Sequence, residues 1–257
     1  MEGFDGVRGK RGLIVGVANV DSIAYGCARQ LRARGAELAI TYLNAKAEPH
    51  VRPLAEALDC PLILPLDVEA PGQLERVFEA IDARWGQLDF LLHAIAFAPA
   101  ADLRGRVVDC SLAGFQQAMR VSCYSLLEMA RAAEPLMRDG GTILTMSFRG
   151  ADRVVAQYNV MGPVKAALES AVRYLAHELG PQGIRVHALS PGPMRTRAAS
   201  GLADFDRLLD DARQRAPQRR LATIDEVGAA AAFLISDAAR ALTGDTLFVD
   251  AGYHVMG

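Results

Sequence analysis

The sequence predicts an α/β fold: a doubly wound, seven-stranded, mostly parallel sheet with helices on both faces, in one domain spanning residues 1–257. Three observations carry this expectation. Seven short apolar runs recur along the chain, the intervals between them read at helical period, and no internal repeat or low-complexity segment divides the chain. At 51% hydrophobic residues, there is ample apolar material to cover both faces of such a sheet.

The first run, Gly12 to Val15, is read as a buried strand. Arg8, Lys10 and Arg11 ahead of the apolar Leu13 to Ala18 resemble the start of a signal peptide, but that stretch is brief and runs into Asn19 and Asp21. Next comes Gly16-Val17-Ala18-Asn19-Val20-Asp21-Ser22-Ile23-Ala24-Tyr25-Gly26, a strand-turn-helix junction suited to a pyrophosphate. Gly16 permits the tight turn, Ser22 caps the helix with its hydroxyl toward phosphate, and Gly26 lets helix and strand approach closely. Val20 and Ser22 stand where a GxGxxG fingerprint has glycines.

The second run, Glu37 to Tyr42, ends in Thr41-Tyr42-Leu43-Asn44, with no arginine for a ribose 2′-phosphate and no acid for a free 2′-hydroxyl; Lys46 lies just beyond. The third, Pro61 to Leu66, leads into Asp67-Val68, placed to meet an adenine. The fourth, Leu88 to His93, leads into His93-Ala94-Ile95-Ala96-Phe97-Ala98-Pro99, where small residues let backbone approach a ribose. The fifth, Thr142 to Ser147, leads into Phe148-Arg149-Gly150, and the sixth, Arg185 to Ser190, into Pro191-Gly192-Pro193-Met194-Arg195-Thr196. Thr246 to Val249 closes the sheet. In this Rossmann-like architecture ligands sit beyond the carboxyl ends of the strands, where these segments fall.

Tyr158 and Lys165 are seven residues apart, a spacing that puts both on one helix face, two turns and roughly 10 Å apart. At that separation and an effective dielectric near 20 the Coulomb energy is about 1.7 kcal/mol, little more than one pKa unit on a phenol that starts near 10. Tyr158 therefore stays protonated and suits the role of donor to a carbonyl oxygen that gains charge. Past the sixth run, Leu202, Phe205, Leu208 and Leu209 repeat at helical spacing and predict a substrate-closing lid over about residues 194–215.

A formal net charge of -2 shows no basic excess for nucleic acid or an anionic membrane. No apolar run approaches the ~20 residues that span a bilayer. Cys27, Cys60, Cys110 and Cys123 form neither a CxxC pair nor a metal-ligand cluster, so reduced thiols in the cytoplasm and no bound metal are expected.

Taken in order, these segments, with Tyr158-Asn159-Val160-Met161-Gly162, Lys165 and the terminal Asp250-Ala251-Gly252-Tyr253-His254, resemble the bacterial enoyl-acyl-carrier-protein reductases of the FabI type, a divergent branch of the short-chain dehydrogenases. The resemblance implies NADH-dependent reduction of a trans-2-enoyl thioester in type II fatty acid synthesis, by a homotetramer. It gives Tyr158 the thioester carbonyl and Lys165 the nicotinamide ribose. It implies cofactor contacts at Gly16, Ser22, Ile23, Asp67, Val68, Ala96, Lys165, Met194 and Thr196. Phe97, Phe148, Tyr158, Met161, Ala198, Ala199 and Phe205 match the acyl pocket. Neutral residues after the second strand favour NADH over NADPH.

Three departures stand against the family pattern. Phe148 replaces a tyrosine in a Ser-Tyr-x-Gly stretch, and it lies thirteen residues before Met161, where alcohol-oxidising relatives place their catalytic serine. Arg149 adds a charge near the site entrance, read as a solvated loop arginine, and Pro163 sits close to the helix start. The lid reads Leu202-Ala203-Asp204-Phe205-Asp206-Arg207, with Arg207 as its main cation where relatives carry several for an acidic carrier protein, so coenzyme A thioesters enter as substrates. These departures keep open a paralogue reducing another activated alkene and a non-catalytic NAD(H)-binding protein.

Overall fold

The computed structural model describes residues 6–196 and 205–256. Its core is one seven-stranded sheet in the order β3-β2-β1-β4-β5-β6-β7, formed by β1 (Arg11–Val15), β2 (Glu37–Tyr42), β3 (Leu62–Pro65), β4 (Phe90–His93), β5 (Gly141–Met146), β6 (Ile184–Pro191) and β7 (Thr246–Val249). All six pairings are parallel, so the sheet is parallel throughout rather than mostly so. Every strand thus ends on the same edge, and the order reverses between β1 and β4, the switch point at which sheets of this kind bind ligands.

Helices α1 (Ile23–Ala33), α2 (Glu48–Glu56), α3 (Gln73–Trp85), α4 (Leu112–Met119), α5 (Ser125–Ala133), α6 (Met161–Leu179), α7 (Phe205–Arg215) and α8 (Ile224–Ile235) complete the chain. Alternate residues of the buried strands feed two apolar layers. Leu13, Leu91, Ile143 and Val186 pack against α3, α5 and α6, while Ile14, Leu92, Leu144 and Leu189 pack against α1 and α8. Helix α8 starts with a Thr223/Glu226 capping box. Its carboxyl end is covered by the guanidinium of Arg185 on β6, which donates to the carbonyls of Leu234 (2.5 Å) and Ala239 (3.1 Å).

Gly26 proves to serve a helix-helix contact, not the helix-strand contact expected of it. A methyl group there would overlap Ile224 at the start of α8, and one at Gly228 would overlap the Gly26 carbonyl. Helices α4 and α5 are joined by a single π-helical turn, Arg120–Tyr124, which rotates the side chains after it relative to an unbroken α-helix. The four cysteines are free thiols, and among the described residues no helix is long and apolar enough to cross a membrane.

Candidate active site

The loop after β1 is shaped for close backbone approach. Gly16 has φ +113° and packs so tightly on Ala94 that a β-carbon would overlap the Ala94 carbonyl oxygen. Ser22 occupies the N-cap position of α1 but does not cap it. Its Oγ accepts from the N–H groups of Ala18 and Asn19 (3.0 Å each) and donates to Asn19 Oδ1, closing the loop upon itself. The first turn of α1, beginning at Ile23, is left without an acidic residue or side-chain cap, which suits a pyrophosphate on its positive end.

After β3, the Asp67 N–H donates to Gln73 Oε1 (2.8 Å), and Arg120 donates to the Val68 carbonyl (2.6 Å) while pairing with Glu128 (2.5 Å). Asn44 at the end of β2 closes a turn by accepting from the N–H groups of Lys46 and Ala47 (3.0 and 3.2 Å). Arg52, the nearest guanidinium in sequence, is held by Glu48 (2.5 Å). Neither supplies a committed 2′-phosphate clamp.

His93 ends β4 fully buried, with Nδ1 2.8 Å from Thr145 Oγ1 and Nε2 2.8 Å from Ser125 Oγ. The Ser125 hydroxyl donates to the Val121 carbonyl (2.7 Å), so it accepts from Nε2–H, and Nδ1 accepts from Thr145. Burial, and secondly the Lys165 charge, push His93 down to about 3, and the ring is neutral. Ser122, one turn earlier, accepts from the Phe97 N–H (2.8 Å) and donates to the Phe97 carbonyl (3.0 Å). The π-helical turn thus fixes the backbone on both sides of Phe97, directly after Ala96. Phe97 itself is 47% exposed.

Tyr158 does not lie on a helix with Lys165, as the spacing had suggested. Gln157 (φ 63°) and Asn159 (φ 45°) adopt left-handed conformations, and α6 begins only at Met161, so the phenol is presented from a turn in front of the helix. Pro163 is consequently the third residue of α6, inside the first turn where backbone N–H groups lack intrahelical partners. The Tyr158 ring rests on Phe148, ring centroids 4.8 Å apart. Gly150 leaves the space for it, since a β-carbon there would overlap the tyrosine ring. Burial, then the negative charge of Glu169, raise the phenol well above its ordinary pKa, and among the described residues its hydroxyl makes no hydrogen bond.

Lys165 is 4% exposed and donates to the Met146 carbonyl at the end of β5 (2.6 Å), leaving two ammonium protons for other acceptors. Burial lowers it to about 8, against the opposing pull of Cys123 and Glu169. Glu169, one turn further along α6, accepts from Ser147 Oγ (2.5 Å).

The remaining expected residues divide. Thr196 follows β6 close to Met194, whose side chain is buried in the core layer shared with α1 and α8. Met161 is buried in the other layer, and Phe205 opens helix α7, half-buried. Ala198 and Ala199 lie outside the described residues. Arg149 is not a solvated loop residue: its guanidinium stacks on Tyr253 (4.2 Å) and donates to the carbonyls of Tyr253 (3.2 Å) and Met256 (3.1 Å). Arg120, Ser122, Ser125 and Glu169 had not been singled out from sequence, because each acts through a partner twenty or more residues away, and Gln73 had not because its side chain closes a local turn that no periodicity marks.

A cradle for a pyrophosphate at the strand reversal, with a protonated phenol and a buried ammonium beyond β5, defines a dinucleotide-dependent oxidoreductase of the short-chain dehydrogenase type. Its relatives narrow the class. The family described as Enoyl-(Acyl carrier protein) reductase matches residues 16–254. The chain is 46% identical over 251 residues to the enoyl-[acyl-carrier-protein] reductase [NADH] FabI of Rickettsia felis, covering 98% of this chain and 96% of that one. Among solved structures, the Anaplasma phagocytophilum reductase in complex with NAD superposes with a TM-score of 0.94 at 49% identity, covering 98% of this chain and 96% of that one. The Bacillus cereus enoyl-acyl carrier protein reductase with NADP+ and indole naphthyridinone gives 0.96 at 46% identity, covering 98% and 99%. The chain belongs to the enoyl-(acyl carrier protein) reductase family.

Proposed function

We propose that the chain reduces a trans-2-enoyl thioester to the saturated thioester in type II fatty acid synthesis, with Tyr158 as the proton-bearing donor and Lys165 as the cofactor anchor. NADH, when bound, supplies the hydride that adds to the β-carbon. The fit of the chain to NADH rests on the Gly16 turn, the uncapped start of α1 at Ile23, the Asp67-Val68 segment, the backbone near Ala96, Met194 and Thr196, and the two free Lys165 protons.

The observation that carries this reading is the state of Tyr158. A phenol held protonated by burial and by Glu169, with its hydroxyl unengaged, donates to the thioester oxygen as negative charge grows there. Phe148 seals the opposite face of that ring and offers no competing proton. Phe97, Met161, Phe205 and the loop at Ala198 and Ala199 form the acyl pocket in this reading, closed by a lid at about residues 194–215. The neutral turn at Asn44 favours NADH over NADPH.

We further take the active form to be a cytoplasmic homotetramer served by acyl carrier protein. Exposed Leu112, Tyr124 and Leu127 on α4 to α5, and Phe233 on α8, offer apolar faces to other copies, and sedimentation velocity tests the assembly. The activity is tested by mixing purified protein, NADH and a medium-chain trans-2-enoyl thioester and following loss of NADH absorbance. Turnover supports the reading. NADH binding without turnover on either carrier would leave a non-catalytic NAD(H)-binding protein or a reductase of another alkene.

A further inference from the structure

A cleft of about 660 Å³ opens between the segment after β5, the lid helix α7 and the C-terminal turn, and Tyr158 forms part of its wall. Its lining holds four arginines, Arg149, Arg153, Arg207 and Arg215, against one carboxylate, Asp211. Two of the four, Arg149 and Arg207, have no acidic partner among the described residues. Arg149 spends its donors on two neutral carbonyls and keeps a buried Nε without a partner. Arg153 meets only the exposed Asp152 at 3.2 Å. Asp211 is shared between the Tyr253 hydroxyl (2.6 Å) and Arg215 (3.5 Å).

The aspartates that make the lid look hostile to an anion are themselves engaged. Asp206 pairs with Arg195 (2.7 Å) and Asp210 with Arg213 (3.4 Å), so neither repels what enters the cleft as a bare charge would. A thioester whose carbonyl meets Tyr158 must extend its sulfur-linked handle away from that phenol, and this cleft starts at the phenol and turns basic. Guanidinium groups are suited by geometry to a phosphate monoester or diester.

We propose that this cleft seats the 4′-phosphate of a phosphopantetheine handle, the group shared by coenzyme A and carrier-protein thioesters. The inference rests on the enoyl-thioester reading and adds to it a cationic site built jointly by the segment after β5 (Arg149, Arg153) and the lid helix (Arg207, Arg215). It gives a handle a cationic seat on a chain whose Asp206 and Asp210 are paired with Arg195 and Arg213.

The test compares one trans-2-enoyl chain on three handles: coenzyme A, 4′-phosphopantetheine, and N-acetylcysteamine, which carries no phosphate. Arg153→Ala combined with Arg207→Ala removes two exposed cations without touching the Arg149 staple. The expected result is a rise in KM for both phosphorylated handles about tenfold larger than any change for N-acetylcysteamine. An equal change for all three handles, or none, overturns the proposal. A change confined to coenzyme A also overturns it, because the phosphate recognised would then belong to the nucleotide. Failure of the unmodified chain to consume NADH with any handle would instead remove the reductase reading, and the first arm of the assay reports that separately.

Discussion

The rings of Phe148 and Tyr158 lie 4.8 Å apart, inclined at 55°, so the residue that lacks a hydroxyl is the one that braces the residue that has it. This packing leaves Tyr158 as the sole phenol of the pair, so in the proposed reaction the whole burden of stabilising charge on the thioester oxygen falls upon it. Replacing Tyr158 with Phe should lower kcat about a hundredfold, the usual cost of losing a preorganised donor, with NADH affinity within about twofold of the parent. Stopped-flow turnover and a fluorescence titration of NADH check the two halves. A kcat within threefold of the parent would mean that some other group serves the oxygen.

Gly150 makes a sharper test, because it touches no ligand in this reading. A methyl group there would occupy the space of the Tyr158 ring edge, so Gly150→Ala must push the ring aside. Displacement of about 1 Å at a reacting centre is enough to cost roughly a hundredfold. We expect kcat to fall tenfold or more while NADH affinity is kept, and Phe148→Ala in the same chain to restore part of the rate by giving the ring room.

Much of this site could be read from the sequence, and what could not has a common cause. Strands β2 and β7 were delimited to the residue and the other five to within two, because a parallel sheet buried on both faces leaves apolar runs. Tyr158 and Lys165 were singled out through a helical spacing that the fold does not use: two left-handed residues around Tyr158, neither of them glycine, present it from a turn that no periodicity reveals. Ser122 and Ser125 escaped for a related reason, since a π-helical turn changes which residues face β4 without altering composition. Arg149 was misjudged because its partners, Tyr253 and Met256, lie more than a hundred residues away.

Lys165 gives a pH dependence with a definite sign. Its buried ammonium titrates at about 8, below the ordinary 10.5, so the charged form that would hold the ribose is lost as pH rises through that value. NADH binding should therefore weaken progressively above pH 8, and Lys165→Met should weaken it about tenfold at pH 7 and flatten the profile. Glu169 helps to hold the proton on Lys165, so Glu169→Gln should move the alkaline loss to lower pH. Isothermal titrations between pH 7 and 9.5 decide the matter, and an unmoved profile in Glu169→Gln would show that the carboxylate serves only to bind Ser147.

His93 sets a limit on the acid side of stability. The native ring is neutral, fully buried and bonded through both nitrogens, and it accepts a proton only near pH 3, whereas the unfolded chain takes one near the ordinary 6.5. The folded pKa is depressed, so the stability this group contributes is complete above pH 6.5 and is lost as pH falls toward the folded value, at about 1.4 kcal/mol per pH unit. Between pH 7 and 4.5 the loss attributable to this one residue is about 2–3 kcal/mol. His93→Gln carries no titratable ring, keeps one donor toward Ser125, and starts less stable at pH 7 through imperfect packing. Urea midpoints of parent and variant should therefore converge as the solution is acidified. If the gap between them stays constant over that range, His93 is not being held neutral by its burial, and the Thr145-His93-Ser125 chain does not link β4 to the π-helical turn in the way its geometry indicates.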